Sequence, residues 1–339
     1  MTRILITGAG GFVGARLARH LLATQPQDQA LSLTLTDQFA LPADLQSDAR
    51  VHAEQGALVD QGHLFSSGFD QVFHLASAVS GESELNFELG LRSNLDGTRV
   101  LLEGLRKAGN VPRMVFSSSI AVYGPDPGLP MPSVVGEDTL PAPQTSYGTH
   151  KLMCEYFIAD YTRKGFIDGR SARLMTVVVR PGKPNGAASS FFSGIIREPL
   201  AGEQAICPVD LDTAHPVASP QSTVESLSLV MQASRDVLKR RLAITLPAVN
   251  VTVAQMLDTL ETVAGAKARA LMTCTSAKKA SPAIASSSAR RLCTLAGAPT
   301  SRITVRKNAA LRPSLSTRCT CPPDSASIIA TTSPGSPPP

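Results

Sequence analysis

Tyr147 and Lys151 stand four residues apart in Ser146-Tyr-Gly-Thr-His-Lys151, a run that opens a helix reaching to about residue 164. At that spacing both side chains leave one face of the helix. A phenol has an ordinary pKa near 10, and a neighbouring ammonium stabilises its anion, which makes the pair a usable general base. Ser119 closes Ser117-Ser-Ser119 at the end of a strand in the same half of the chain. Its hydroxyl can hold a reacting oxygen. Ser119, Tyr147 and Lys151 together predict hydride transfer at a carbinol.

Such a set needs a hydride acceptor, and the chain opens with a site for one. Arg3-Ile-Leu-Ile-Thr7 reads as a short buried strand, followed by Gly8, Gly11 and Gly14 at G-x-x-G-x-x-G spacing. From Phe12 the apolar period becomes helical, through Phe12, Val13, Leu17, Leu21 and Leu22. A strand, a tight turn and a helix start suit a dinucleotide pyrophosphate. Free N–H groups and the positive dipole end face the phosphates, and missing Cβ atoms let the backbone come close. A second strand over 31–36 ends at Asp37, where an acid meets the adenosine ribose hydroxyls in this kind of fold. Gln38 and Phe39 follow, so a 2′-phosphate finds no cation there, and NAD is expected rather than NADP.

Further strands are expected over 51–58, 71–75, 112–116 and 174–179, with a long helical stretch over 85–108. Their alternation predicts an α/β fold with a doubly wound parallel sheet of Rossmann type. Small residues in Ala76-Ser-Ala78 let a cofactor lie over the strand end, and His74 reads as a packed, hydrogen-bonded residue. After Arg180 a turn-rich loop, Pro181-Gly-Lys-Pro-Asn-Gly186, leads into a smaller mixed lobe. That lobe has helices expected over 189–200, 222–233 and 252–264 and strands over 205–207 and 242–246. The domain reading is a cofactor-binding lobe over 1–180, to which later segments return, and a substrate lobe over 181–270.

The formal charge of +5 is unevenly placed. Residues 271–339 carry +8, with nine Lys or Arg and the single acid Asp324, leaving −3 for the first 270. The basic balance therefore belongs to the tail and implies no nucleic-acid partner. The tail has no aromatic residue, is rich in Ser, Thr, Ala and Pro, and holds four of the six Cys. Its abrupt loss of acids and aromatics reads as translation out of frame, too poor in apolar anchors to offset the entropy of ordering. Unpaired Cys spacing points to a reducing compartment. No apolar leader precedes the first strand, and no run approaches a membrane span. Cytoplasmic location without a membrane partner is the expectation. No metal site is predicted.

Taken together, these motifs resemble the extended short-chain dehydrogenases/reductases, the group of NAD-dependent epimerases and dehydratases. The likeness is carried by Thr7-Gly8-x-x-Gly11-x-x-Gly14, Asp37, His74-Leu-Ala76, Asn94-Leu-Asp-Gly-Thr98, Ser117-Ser-Ser119 with Tyr123-Gly124, and Tyr147-x-x-x-Lys151. The resemblance implies that Ser119 bonds the substrate oxygen, Tyr147 is the base, and Lys151 holds the nicotinamide ribose and tunes Tyr147. It sets NAD against Gly8, Gly11, Phe12, Val13, Gly14, Asp37, Leu58, Leu75, Ala76, Ser77, Asn94, Tyr147 and Lys151, and it implies a homodimer. One departure is Ala57, where the family often has an Asp for the adenine.

A closer likeness, in Ala78-Val-Ser-Gly-Glu82, Val179-Arg-Pro-Gly-Lys-Pro-Asn185, Ser189-Ser190, Ile195-Ile-Arg-Glu-Pro-Leu200 and His215-Pro-Val-Ala-Ser-Pro220, is to the branch containing the D-erythronate dehydrogenases. That branch implies oxidation of the 2-hydroxyl of a small sugar acid. Lys183 and Arg197 would pair with its carboxylate. Ser80, Asn185 and Ser190 would bond hydroxyls, with Gly81 and Ser119 beside them. A nucleotide-sugar epimerase or dehydratase and a non-catalytic NAD-binding regulator are the alternatives.

Overall fold

Apolar runs that alternate with helical periods build strands buried on both faces and helices laid over them. The computed structural model describes residues 1–24, 30–182, 187, 189–238 and 243–274. Its strands are β1 (Thr2–Thr7), β2 (Leu31–Asp37), β3 (Val51–Gln55), β4 (Gln71–His74), β5 (Arg113–Ser119), β6 (Asp168–Leu174), β7 (Thr176–Val177), β8 (Ala205–Cys207), β9 (Ala214–Ala218), β10 (Ala243–Thr245), β11 (Val249–Thr252) and β12 (Met272–Cys274). The helices are α1 (Phe12–Thr24), α2 (Ala43–Gln46), α3 (Gly62–Phe65), α4 (Ser80–Leu85), α5 (Phe87–Gly90), α6 (Gly97–Ala108), α7 (Ser146–Arg163), α8 (Phe191–Leu200), α9 (Pro220–Gln232), α10 (Arg235–Leu238) and α11 (Val253–Ala270).

Seven strands form one sheet in the order β10-β6-β5-β4-β1-β2-β3, and every pairing in it is parallel. This is the doubly wound Rossmann-type sheet expected from the sequence. The order reverses between β1 and β4, so a crevice opens beyond their carboxyl ends. Both faces are covered, as a parallel sheet requires. Ile4, Ile6, Leu33 and Leu35 pack with Leu17 and Leu21 of α1 and Leu227 of α9. Leu5, Val72, Met114 and Phe116 pack on the other side with Leu101 and Leu105 of α6 and Ile158 of α7.

Beyond the sheet, β11, β9 and β7 make a three-stranded sheet, and β8 pairs with β12. Phe192 and Ile195 of α8 meet Val253 and Leu257 of α11 and Cys207 of β8 in a separate core. β10 returns to the main sheet beside β6, and α9 covers its face. Met272 packs on the second core and β12 pairs in register with β8, so ordered pairing runs past 271 to Cys274. The rest of the tail, from 275, lies outside the described residues.

Two elements differ from expectation. The sixth strand of the sheet is β6 over 168–174, and only Thr176–Val177 of the expected 174–179 is strand, in the small sheet. Arg170 and Arg173 make β6 read as polar, yet both are buried and paired. Arg173 donates to Glu155 on α7 at 2.7 and 2.9 Å, and Arg170 to Asp168 at 2.9 Å and to the Ala233 carbonyl at 2.9 Å. The stretch over 85–108 is also not one helix. Asn86 is extended and its side chain accepts from the Leu89 N–H to start a new turn, and 91–96 forms a π-helical segment before α6.

Candidate active site

The turn between β1 and α1 is shaped by close backbone approach. A Cβ on Gly14 would lie 2.1 Å from the Gly8 carbonyl oxygen, so only glycine lets α1 begin this near β1. Gly8, Gly11, Phe12, Val13 and Gly14 line a cavity of about 650 Å³ at the carboxyl end of the sheet. Asp37 ends β2 beside this turn and accepts from the Gly10 and Phe39 N–H groups, each at 3.0 Å. A glycine cradle at the start of a thirteen-residue helix, with a fixed carboxylate next to it, fits the pyrophosphate and ribose of NAD.

The cavity floor is held by a buried polar network. Asn94, in the π-helical segment, accepts from the Ala78 N–H at 2.8 Å and the Ser77 hydroxyl at 2.9 Å. A π segment is a common way to turn one side chain out of a helical ladder toward a site. His74 lies behind this floor, fully buried, with Nδ1 2.7 Å from the Thr7 hydroxyl and Nε2 2.9 Å from the Thr98 hydroxyl. Thr98 donates its own proton to the Asn94 carbonyl, so it accepts from His74 Nε2–H, and Nδ1 accepts from Thr7. Burial, and secondarily the charge of Lys151, hold this imidazole neutral, with its pKa pushed down to about 3.

The reacting end lies between β5 and α7. The Thr145 hydroxyl caps α7 by accepting from the Gly148 N–H at 3.1 Å. The Ser146 N–H donates to Glu84 at 2.5 Å, tying α7 to α4. A Cβ on Gly148 would stand 2.1 Å from the Ala121 carbonyl, so glycine again allows the approach that brings Tyr147 to Ser119. Lys151 is buried, donates to the Ser117 carbonyl at 2.8 Å, and sits 5.5 Å from the centre of the Tyr147 ring. Desolvation pushes the Lys151 pKa down to about 8, against the pull of Cys154 and Glu155. Desolvation pushes the Tyr147 phenol up to about 12, opposed by hydrogen bonding to Ser119 and by the charge of Arg180.

Ser119, Tyr147 and Lys151 all line the cavity, as do Leu75, Ser77 and Ser80. Other expected contacts fall elsewhere. Asn94 stands behind the wall as a positioning residue. Leu58 packs against Gly97, Ala76 abuts Gly8 through its backbone, and neither Gly81 nor Ser190 lines the cavity. Arg197, expected to pair with the substrate carboxylate, does not line the cavity. It is ion-paired with Glu198 and donates to the Arg180 carbonyl at 2.9 Å, away from the lining. Lys183 and Asn185 lie outside the described residues. Arg180 and His215, to which the sequence assigns no role in the site, also line the cavity. His215 is stacked on Phe192 at 4.6 Å, with Nε2 2.7 Å from the Thr176 hydroxyl, and burial pushes its pKa down to about 4. The position of Arg180 at a strand end before Pro181-Gly182 was the available signal.

A glycine cradle at the β1–α1 turn and a Ser-Tyr-Lys set between β5 and α7 define a dinucleotide-dependent oxidoreductase of the short-chain dehydrogenase type. The chain belongs to the NAD dependent epimerase/dehydratase family, whose sequence profile matches residues 4–240. It is 46% identical over 271 residues to a D-erythronate dehydrogenase of Cupriavidus necator, covering 77% of this chain and 82% of that one. A D-erythronate dehydrogenase of Haemophilus influenzae is 41% identical over 266 residues, 78% of this chain and 82% of the relative. Among solved structures, a nucleoside-diphosphate-sugar epimerase from Agrobacterium tumefaciens superposes with a TM-score of 0.75 at 38% identity, covering 86% of this chain and 84% of that one. The protein is thus an NAD-dependent dehydrogenase or epimerase. Among the described residues no helix is long and apolar enough to cross a membrane.

Proposed function

We propose that this chain oxidises the 2-hydroxyl of a small sugar acid such as D-erythronate to the 2-keto acid. The observation that carries this reading is the placing of Tyr147, Ser119 and Lys151 on one cavity wall. It is supported by relatives named for that activity, which span most of the chain. NAD, when bound, supplies the hydride acceptor. Ser119 orients the carbinol oxygen, and Tyr147 takes its proton as the C–H bond breaks. Lys151, charged below pH about 8, favours the phenolate from within its reach and would hold the nicotinamide ribose when NAD is bound. Asp37 would repel a 2′-phosphate and so select NAD over NADP. The working form is a cytoplasmic homodimer.

Net NADH release separates this function from an epimerase, in which hydride returns within the turnover. The full chain, given NAD and a panel of four- to six-carbon aldonates, is expected to accumulate NADH with at least one of them. Tyr147→Phe is expected to lose more than tenfold in kcat, over about 1.4 kcal/mol of transition-state stabilisation, while still binding NAD. Absence of NADH with every aldonate, together with epimerisation of a nucleotide sugar, would replace this reading by the epimerase one.

A further inference from the structure

Arg180 lies between β7 and α8, and its side chain lines the cavity. Its backbone is clamped from α8. Its N–H donates to the Ser193 hydroxyl at 3.2 Å, and its carbonyl accepts from Arg197 at 2.9 Å. The preceding residue, Val179, has φ +51°, a region a β-branched residue enters only when its surroundings force it. Two clamps and a strained neighbour fix the direction in which Arg180 leaves the chain.

The charge of this wall is unbalanced. Arg197 is matched by Glu198, whereas Arg180 makes no ion pair among the described residues. A partly buried guanidinium without a carboxylate calls for an anion from outside. The cofactor pyrophosphate is not that anion, because its cradle is at the β1–α1 turn. Arg180 instead acts on the Tyr147 phenol, where it favours the anion. In a 2-hydroxy acid the carboxylate is bonded directly to the carbon that carries the reacting hydroxyl. A cation within electrostatic reach of the base therefore matches a 2-hydroxy acid. The diphosphate of a nucleotide sugar is several bonds further from its reacting carbon.

We propose that Arg180 receives the substrate carboxylate in a charge-assisted, two-pronged contact and thereby selects 2-hydroxy acids and presents the 2-hydroxyl to Tyr147. This assignment rests on the sugar-acid reading and gives the cavity the carboxylate partner that Arg197 does not supply.

The test compares D-erythronate with its neutral primary amide on the full chain and on Arg180→Gln and Arg180→Lys. Losing a charge-assisted contact of this kind is expected to raise KM for the acid about 30-fold or more in Arg180→Gln, with partial recovery in Arg180→Lys. NAD affinity is expected to stay within about twofold in both variants, since the pyrophosphate cradle is built from the β1–α1 turn and not from Arg180. The preference for acid over amide collapses in Arg180→Gln, and the pH at which activity rises moves upward as Tyr147 loses its cation. An unchanged acid-to-amide ratio in an Arg180→Gln chain that still binds NAD overturns the proposal and leaves the sugar-acid reading standing. Calorimetric titration of D-erythronate into the NADH complex covers a chain that turns over no aldonate. Binding that Arg180→Gln abolishes supports the anchor while the reaction assignment fails, and a wild-type chain that binds no carboxylate overturns the anchor.

Discussion

His74 joins three elements through two hydroxyls, and its protonation is where this fold meets pH. Protonated, both ring nitrogens would donate, and Nδ1 would oppose the Thr7 hydroxyl it now accepts from while its charge lay in an apolar layer. Its folded pKa of about 3 lies below the usual value near 6.5, so the unfolded chain takes up a proton first as pH falls. Stability from this residue is fully present above pH 6.5 and is lost progressively toward pH 3, by at most about 1.4 kcal/mol per unit. Urea unfolding at pH 7 and pH 5 is expected to show a smaller loss in His74→Gln than in the wild type, because glutamine does not titrate. Equal losses would remove His74 from the acid response. At this scale Tyr147, Lys151, Ser119 and the three glycines are legible from type and spacing, since the chemistry itself fixes both. Arg180 is not, because one arginine before a proline turn carries no period. Its role depends on Arg197 being neutralised by Glu198, a contact within α8 that spacing alone does not reveal.

The elements that carry the site are set by close approaches more than by propensity. α7 places Tyr147 and Lys151 on its inner face, and its first turn lies against the turn after β5 because Gly148 has no side chain. In Gly148→Ala the new Cβ meets the Ala121 backbone oxygen, so the helix start must shift. A displacement of about 1 Å between catalytic groups can cost on the order of 100-fold in rate, and overpacking costs about 1–3 kcal/mol in stability. A fall of that order in kcat/KM is expected for Gly148→Ala. It should be absent from Gly136→Ala, where a Cβ meets nothing within 4 Å. Similar kinetics for both variants would show that the approach of α7 to β5 is not what sets the site. The apolar period foretold β1, β2, β4 and α7, but not β6. Arg173 is buried because Glu155 meets it from α7, and Arg170 because Asp168 of the same strand and the distant Ala233 carbonyl satisfy its guanidinium. A pairing of that kind is a property of the folded chain, and local polarity conceals it. The break at Asn86 has a different origin. It is a side-chain cap competing with the helix ladder inside a run of otherwise helical residues.

On the molecule as a whole, apolar surface gathers on the outer side of the helices that carry the site. Leu85, Phe87 and Leu89 on α4 and α5, and Met153 and Tyr156 on α7, are all exposed, Leu85 at 87% and Phe87 at 59%. Scattered apolar residues need no explanation, but several on adjoining helices mark a surface that is covered in use. The inner faces of the same segments are accounted for by Leu101, Leu105, Cys154 and Ile158 in the sheet-side core. A second copy of the chain, related by a two-fold axis, would bury this patch against itself without leaving a free edge. A stable interface of this kind covers about 800 Å² on each partner, which requires the polar rim of α5 and α7 to join the five apolar residues. Light scattering of the full chain at micromolar concentration is expected to give twice the monomer mass of 35.6 kDa. Phe87→Asp with Tyr156→Asp is expected to return it to the monomer mass with NAD binding kept, since neither side chain lines the cavity. A wild-type chain that scatters as a monomer would leave the patch to another partner and remove the dimer from the functional reading.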